Sequence, residues 1–204
     1  YMQAIDLVSQ LATDAKADID ACETGYLKLA HSSKWFDKLK ATAEYLQRDF
    51  DYEVELISKS DFCRDYVDHK KVFGAIRYTN GFGINPLKLV NGYAKLATSL
   101  GVKIFTQSSV NSIESGNQHV VTTEQGQVTA DKLVMATNGY TPQGLKSKLT
   151  NKLLPVLTSV IVTESLSEEQ LVASNFKTQQ VMMDTRELKY YYRLLPGNRI
   201  LFGG

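Results

Sequence analysis

The sequence predicts a mixed α/β and α+β architecture in which an α/β half is joined to a strand-rich half. Residues 81–140 combine a helical pattern with several strand patterns, whereas 18–78 and 153–204 consist mainly of strand patterns separated by turn signals. The hydrophobic content of 43% over 204 residues is ample for conventional buried cores. A disordered chain is therefore excluded.

The first part of the chain alternates helix and strand patterns. Residues 2–16 carry apolar side chains close to a helical stripe, and residues 24–30 have a strand pattern. Ser32 or Ser33 then caps the clearest helix, because the apolar residues after it recur at helical spacing and form one buried face. That face contains Trp35, Leu39, Ala43, Leu46 and Phe50. The elements that follow are a strand over 54–57, a brief helix from Ser60 and Asp61, and a strand over 72–78.

A second long helix is predicted to begin at Asn85 and Pro86. An asparagine side chain can accept a hydrogen bond from a free N–H of the first turn, and a proline at the first helical position sacrifices no hydrogen bond. Gly101 ends this helix. Its apolar face contains Leu87, Val90, Ala94, Ala97 and Leu100.

Strand patterns occupy most of the next part of the chain. The turn residues Gly116-Asn117 and Gln125-Gly126 predict antiparallel pairing of the strands beside them. The apolar run 132–137 predicts a buried strand that ends at Asn138-Gly139, where a ligand could approach the backbone. The predicted strands are 102–106, 109–115, 118–123, 127–130 and 132–137.

The pattern changes again after Pro142. Residues 153–164 predict a long strand, and Ser167 caps a short helix over 167–173. Pro196-Gly197-Asn198 forms the last hairpin turn. The final predicted strands are 180–184, 189–195 and 199–202.

Charge and cysteine content exclude several classes of function. The net charge of +1 supplies no field that would attract nucleic acid or an acidic membrane surface. Cys22 and Cys63 are too few and too far apart for a disulfide framework or a zinc site, so we expect a cytoplasmic protein. No apolar run is long enough to span a membrane, and three scattered histidines predict no metal site.

The ends of the sequence resemble cuts through a larger protein. Tyr1 lies inside a helical pattern, and Phe202-Gly203-Gly204 follows a strand pattern without a polar tail. We therefore expect the sequence to be an internal segment.

The segment Gly81-Phe82-Gly83 imitates the start of a dinucleotide-binding fingerprint. It follows a strand and precedes a helix, but Pro86 replaces the third glycine. The next strand pattern ends at Thr106-Gln107 without an acidic residue for a ribose. A loop with a helix cap is the favoured interpretation.

Tyr190-Tyr191-Tyr192-Arg193 is the most distinctive local pattern. In a strand, Tyr191 and Arg193 face one side and Tyr190 and Tyr192 face the other, so one pair can line a cavity. Aromatic rings beside a guanidinium suit a pocket for an amine, a carboxylate or a flavin ring. The alternative is cross-strand packing with Arg193 paired to an acid such as Asp184.

The segments GFGINPLKLV, GVKI and DKLVMATNGY together resemble the middle of FAD-dependent oxidoreductases of the D-amino-acid-oxidase type. The similarity is closest to the amine-oxidising branch typified by gamma-glutamylputrescine oxidase and sarcosine oxidase, and it continues through DTR, YYRL and LFGG. It covers about residues 72–204 in order, whereas 1–71 agree only in general texture.

The resemblance implies FAD as the cofactor and assigns residues near it. These are Val110, at the adenine; Ala136, Thr137, Asn138 and Gly139, at a strand end near the cofactor; and Gly203 and Gly204, where the chain returns towards the flavin. We expect the Val110 strand and the strand that ends at 136–139 to lie side by side and form one wall of an adenosine-sized crevice. Tyr191 and Arg193 are the candidate substrate-binding residues, and no catalytic residue is assigned.

The resemblance also implies two domains. Residues 1–17 and 81–152 are assigned to part of a doubly wound FAD-binding domain, and residues 18–80 and 153–204 to a sheet-rich substrate-binding domain. The phosphate fingerprint of the family precedes Tyr1 in this comparison. We therefore expect the segment alone to bind FAD weakly or not at all, and to be inactive.

The predicted function is oxidation of the C–N bond of an amine or amino acid by hydride transfer to FAD. Leu201 stands where sarcosine-oxidase-like relatives carry a lysine, so the electron acceptor stays open between oxygen and another oxidant. The alternatives are a non-catalytic flavoprotein-like binding module or subunit and, on the glycine pattern alone, an NAD-dependent dehydrogenase. The amine and the oligomeric state are not predicted.

Overall fold

A computed structural model of the chain describes residues 2–22, 24–142, 144–145, 152 and 154–204. The chain forms two compact units, one of Tyr1–Leu100 with Thr158–Gly204 and one of Gly101–Leu157. The assignment of 1–17 and 81–152 to an FAD-binding domain, and of 18–80 and 153–204 to a substrate-binding domain, stays a prediction.

Helices and strands alternate through the first unit and strands dominate the second. In chain order the elements are α1 (Met2–Asp14), β1 (Thr24–Leu29), α2 (Ser33–Phe50), β2 (Val54–Ile57), α3 (Lys59–Asp65), β3 (Ala75–Phe82), α4 (Pro86–Ser99), β4 (Val110–Ser115), β5 (His119–Thr123), β6 (Gly126–Ala130), β7 (Val160–Val162), α5 (Glu168–Ser174), β8 (Val181–Asp184), β9 (Tyr191–Leu195) and β10 (Arg199–Gly203). A short 3₁₀ turn spans Asn138–Tyr140.

The larger unit is built on a seven-stranded sheet in the order β2-β3-β1-β8-β9-β10-β7. β1 and β8 are parallel, and the other neighbours are antiparallel. The parallel pair joins segments that are far apart in sequence. It thereby places the C-terminal hairpin β9–β10 beside the N-terminal strands.

The two faces of this sheet have different environments. The back face carries Leu27, Met182 and Tyr192, which pack in one core with Phe62 of α3 and Phe176, just after α5. The front face carries the alternate residues, because successive side chains of a strand point to opposite sides. Over β8, β9 and β10 the front face is half-exposed; its residues there are Val181, Met183, Tyr191, Arg193 and Leu201.

The predicted helix caps are largely confirmed. The Ser32 side chain accepts a hydrogen bond from the Trp35 N–H, and Asn85 accepts one from Lys88. Ser167 forms a capping box with Gln170. The brief third helix is capped by Ser58 rather than begun by Ser60 or Asp61, because the Ser58 hydroxyl accepts from the Asp61 N–H.

The smaller unit contains the antiparallel sheet β4-β5-β6, with turns at the predicted positions. The predicted strands 102–106 and 132–137 are wrong, since neither segment forms a strand. An apolar run becomes a buried strand only where neighbouring strands pair with it, and no described residue pairs with these two. Val134 is accordingly 87% exposed.

Two further differences concern strand ends. β3 begins at Ala75 rather than at residue 72, and the long strand predicted over 153–164 is reduced to β7, Val160–Val162, with residue 153 outside the described part. Among the strands that the structure describes, β7 lies at the edge of the sheet and pairs with β10 alone, so its length is limited by that one partner. In the described part of the chain, no helix combines the length and hydropathy that crossing a membrane requires.

Candidate functional site on the front face of the sheet

The front face over β9 and β10 brings together two residues that the sequence singled out. Tyr191 is the cross-strand partner of Gly203. Its ring lies where a side chain at Gly203 would project, since a Cβ there would overlap the ring atoms. Because Gly203 has no side chain, the Tyr191 ring can occupy this space on the front face. Arg193 lies on the same face.

Arg193 is held by two groups from distant parts of the chain. Its Nη2 donates to the Ile84 carbonyl oxygen at 2.7 Å, and its Nη1 donates to Cys22 Sγ at 3.5 Å. Cys22 itself is fixed, because its N–H donates to the Gly83 carbonyl and its thiol to the Gln179 carbonyl. The guanidinium is thus held by backbone and sulfur rather than by a carboxylate.

Gly83 provides the space in which this contact forms. A Cβ on Gly83 would overlap both Cys22 Sγ and Arg193 Nη1. The predicted helix cap is confirmed, because the Asn85 side chain accepts a hydrogen bond at the start of α4. The predicted loop is wrong for Gly81 and Phe82, which are the last residues of β3 and leave only Gly83 and Ile84 before the cap. The glycine that imitated a nucleotide fingerprint instead accommodates an arginine.

The charge of Arg193 has no direct counter-ion among the described residues. The expected alternative, a pair between Arg193 and Asp184, is wrong, because Asp184 bonds Arg186 instead. Asp20 is the nearby acid: its hydrogen bonds from Lys88 and Asn85, and then the charges of Lys88 and Arg193, lower its pKa. Its oxygens are already engaged by Lys88 and Asn85.

Among the described residues, the Arg193 guanidinium has two hydrogen-bond partners. A guanidinium offers a planar set of N–H groups, of which the protein uses one for a carbonyl and one for a sulfur. A half-buried cation without a paired acid favours an anionic ligand group. With the Tyr191 ring on the same face, this patch suits a ligand that combines a carboxylate with an apolar or cationic part.

Tyr190 and Tyr192 line a small cavity on the back face, with a volume of about 70 Å³. The side chains alternate along the strand as expected. Tyr190 and Tyr192 face this cavity, whereas the proposed substrate-binding residues, Tyr191 and Arg193, face the other side. Burial of the Tyr192 phenol, followed by the charge of Asp184, raises its pKa above the ordinary range. Its hydroxyl is buried and has no partner among the described groups.

His69 lines the same cavity, and its titration gives a testable consequence. Burial lowers the pKa of His69 below the ordinary value of 6.5. Unfolding restores the ordinary pKa, so the unfolded chain binds more protons just below pH 6.5. We expect the free energy of unfolding to fall as the pH drops from 6.5 towards the lowered pKa, and His69→Gln to make this slope shallower. Chemical denaturation at a series of pH values tests this; equal slopes for both proteins would contradict it.

Of the cofactor residues expected in the smaller unit, 136–139 are exposed and Val110 is half-buried, and they are not arranged as expected. Val110 begins β4 and pairs with Thr123. Residues 136–139 form no strand, so the expected side-by-side strands are wrong; the missing pairing described above is the reason. Their backbone is accessible, with Asn138 at φ 48° and only the Pro155 Cβ, at 3.9 Å, near the side where Gly139 lacks a side chain.

Gly203 and Gly204 have a packing explanation independent of any cofactor. Tyr191 fills the space beside Gly203, and the Tyr190 ring lies 2.8 Å from where a Cβ of Gly204 would be. Their assignment to the cofactor stays a prediction. Within the described ranges, no group of histidine, cysteine and acidic residues could hold a metal ion.

Sequence reasoning missed Cys22, Gly83 and Ile84 as the residues that hold Arg193. The glycine pattern at 81–83 was the only local signal, and it pointed to a different chemistry. Nothing in the sequence around Cys22 indicated a contact with Arg193, since an isolated cysteine is usually a small buried residue.

Comparison with known proteins agrees with this fold. Gamma-glutamylputrescine oxidoreductase of Escherichia coli (strain K12) is 32% identical over 180 residues, 88% of this chain and 42% of that protein. A probable oxidoreductase OrdL of Haemophilus influenzae (strain ATCC 51907 / DSM 11121 / KW20 / Rd) is 27% identical over 206 residues, 99% of this chain and 47% of that protein. The chain therefore spans less than half the length of these relatives.

A solved structure shares the fold at lower identity. Glycine oxidase from Geobacillus kaustophilus superimposes with a TM-score of 0.73 at 18% identity, over 97% of this chain and 51% of that one. The model of one family, described as DAO, FAD dependent oxidoreductase, matches residues 1–204. Because this match covers the whole sequence, the chain belongs to the DAO family of FAD-dependent oxidoreductases.

Proposed function

We propose that the protein containing this chain oxidises the C–N bond of an amine or amino acid. FAD, when bound, supplies the acceptor for the hydride that leaves the carbon next to the nitrogen. The resulting imine is hydrolysed by water to a carbonyl compound and an amine or ammonia. The chain's own task is to hold the uncharged amine in position and to keep water from the reacting carbon.

The observation that carries this proposal is the fixed arginine on the front face. Arg193 is half-buried, held by the Ile84 carbonyl and Cys22, and has no acidic partner within the described part of the chain. It can therefore bind the carboxylate of an amino-acid-like substrate while Tyr191 contacts the remainder. The E. coli relative, whose name refers to gamma-glutamylputrescine, supports a substrate with both an amine and a carboxylate.

The residues of the smaller unit fit contact with FAD only in part. Residues 136–139 offer exposed backbone groups and the open side of Gly139, and Val110 lies at the start of β4, so these residues would contact the adenine end. Gly203 and Gly204 would lie towards the flavin. The start of α4 does not fit a pyrophosphate, because Asn85 caps it and Asp20 places a carboxylate beside it.

The test is the visible spectrum of the full-length protein that contains this chain. We expect bound FAD with a flavin absorption band that is bleached under anaerobic conditions by an amine carrying a carboxylate. Bound FAD that no amine reduces would overturn the proposal and favour the alternative, a non-catalytic flavoprotein-like module. Re-oxidation by air, compared with an artificial acceptor, would identify the electron acceptor.

We also propose that the protein works in the cytoplasm. Cys22 and Cys63 are both free thiols, which a reducing compartment preserves. Small-molecule amines are the expected partners. Fractionation of cells that express a tagged full-length protein tests the location.

A further inference from the structure

Cys22 connects three segments of the chain at the end of the sheet where β3 finishes and β1 and β8 begin. Its N–H donates to the Gly83 carbonyl at 3.1 Å, just beyond β3. Its thiol donates to the Gln179 carbonyl at 3.4 Å, just before β8, and accepts from Arg193 Nη1 at 3.5 Å. A thiol can do both, because its sulfur is a weak donor and a weak acceptor. Cys22 therefore ties the arginine of β9 to two other parts of the sheet.

The Arg193 guanidinium is fixed before any ligand arrives. Its Nη2 donates to the Ile84 carbonyl at 2.7 Å, so its two terminal nitrogens are held by different atoms. A Cβ at Gly83 would overlap both Cys22 Sγ and Arg193 Nη1, which shows how closely these three residues pack. A free arginine side chain has many rotamers and loses that freedom when it binds a ligand. Here the protein has already imposed the order.

The sulfur holds the guanidinium without neutralising its charge. A carboxylate in the same place would pair with the guanidinium strongly and would compete with the carboxylate of a ligand. A thiol sulfur accepts only a weak hydrogen bond. The nearby acid, Asp20, is engaged by Lys88 and Asn85. The contacts of Arg193 among the described residues therefore set its position and leave its charge for a ligand.

We propose that Cys22 is a positioning residue for Arg193 and thereby determines the affinity of the front-face site for a carboxylate. It acts through the guanidinium, which it holds in the orientation that receives the carboxylate beside the Tyr191 ring. Gly83 supports this role, because a residue without a side chain leaves room for the contact. The inference rests on the proposed function, in which Arg193 binds the carboxylate of the substrate.

The test measures binding rather than turnover. Isothermal titration calorimetry on the full-length protein compares pentanoate with pentanamide, its uncharged isostere. The native protein should bind pentanoate more tightly, and Arg193→Met should remove this preference. Cys22→Ala should weaken pentanoate binding about fivefold, because the ligand must then order the guanidinium, and should leave pentanamide binding unchanged. Cys22→Ser should keep most of the affinity for pentanoate, since a hydroxyl also donates and accepts.

Two further variants separate position from charge. Cys22→Asp supplies a carboxylate from within the protein, so the affinity for pentanoate should fall to that for pentanamide. In the Arg193→Met background, Cys22→Ala should have no further effect on pentanoate binding, because there is no guanidinium left to position.

Cys63→Ala is the matched control. It removes the same atoms from a second half-buried cysteine, whose thiol lies 3.7 Å from the His69 carbonyl oxygen. It should leave both affinities unchanged, and the melting temperature of each variant shows that it is folded. Equal pentanoate affinities of the native protein and Cys22→Ala, or an equal loss with pentanamide, would overturn the positioning role and leave the proposed function intact. If the native protein bound pentanoate no more tightly than pentanamide, the assignment of Arg193 to a substrate carboxylate would be wrong as well.

Discussion

Replacing Arg193 with methionine is expected to raise the KM for an amino-acid-like substrate about 100-fold, equivalent to a loss of ~3 kcal/mol. Methionine keeps much of the apolar volume but removes the half-buried front-face cation beside Tyr191, which has no acidic partner among the described residues. Because a carboxylate–guanidinium contact forms when the substrate binds, KM should change more than kcat. Steady-state kinetics on the full-length protein measures both.

Two controls separate substrate binding from folding. Arg199 is an exposed arginine of the same sheet, and Arg199→Met should leave KM unchanged. An amine without a carboxylate should be oxidised equally by the native protein and by Arg193→Met. If Arg193→Met lowered the rate with both kinds of amine to the same extent, the assignment of Arg193 to a substrate carboxylate would be wrong.

Replacing Gly203 with alanine is the second large effect that we expect. The new Cβ would overlap the Tyr191 ring, and overpacking of this kind costs about 1–3 kcal/mol. Because β9 and β10 are paired at this point, the ring must turn away from its present position on the front face. The melting temperature should fall, and kcat/KM should fall with it.

A double variant identifies the cause. Tyr191→Ala removes the ring that the new Cβ would overlap. In the Tyr191→Ala background, Gly203→Ala should therefore lower the free energy of unfolding much less than it does in the native protein. Gly116→Ala is the matched control, since a Cβ there meets only the Gln118 carbonyl oxygen at 3.9 Å. Additive losses in the double variant would show that Gly203 is required for another reason.

Predictions from short sequence patterns were correct where the hydrogen bonds they require form between residues close together in the chain. The Ser32, Asn85 and Ser167 caps need only an N–H of the next turn, and each is present. The hairpins at Gly116 and Gly126 need only adjacent strands. Alternation along β9 likewise separated Tyr191 from Tyr192 correctly.

Strands that depend on distant partners were predicted less well. The apolar runs 102–106 and 132–137 have strand composition, but composition does not specify which segment supplies the hydrogen bonds. The expected pairing of the Val110 strand with a strand ending at 136–139 was wrong for the same reason. The choice between the faces of β9 also needed the structure, because only the structure shows that Tyr192 packs in the core with Phe62 of α3 and Phe176.

The sequence by itself determined the helix caps at Ser32, Asn85 and Ser167, the hairpin turns and the resemblance to flavin-dependent oxidoreductases. Only the tertiary structure decided that Arg193 is held by Cys22 and Ile84, which are 171 and 109 residues away along the chain. Caps and turns arise from contacts between near neighbours. The arginine contact arises from a sheet order that joins the N-terminal strands to the C-terminal hairpin, and no short sequence pattern encodes that order.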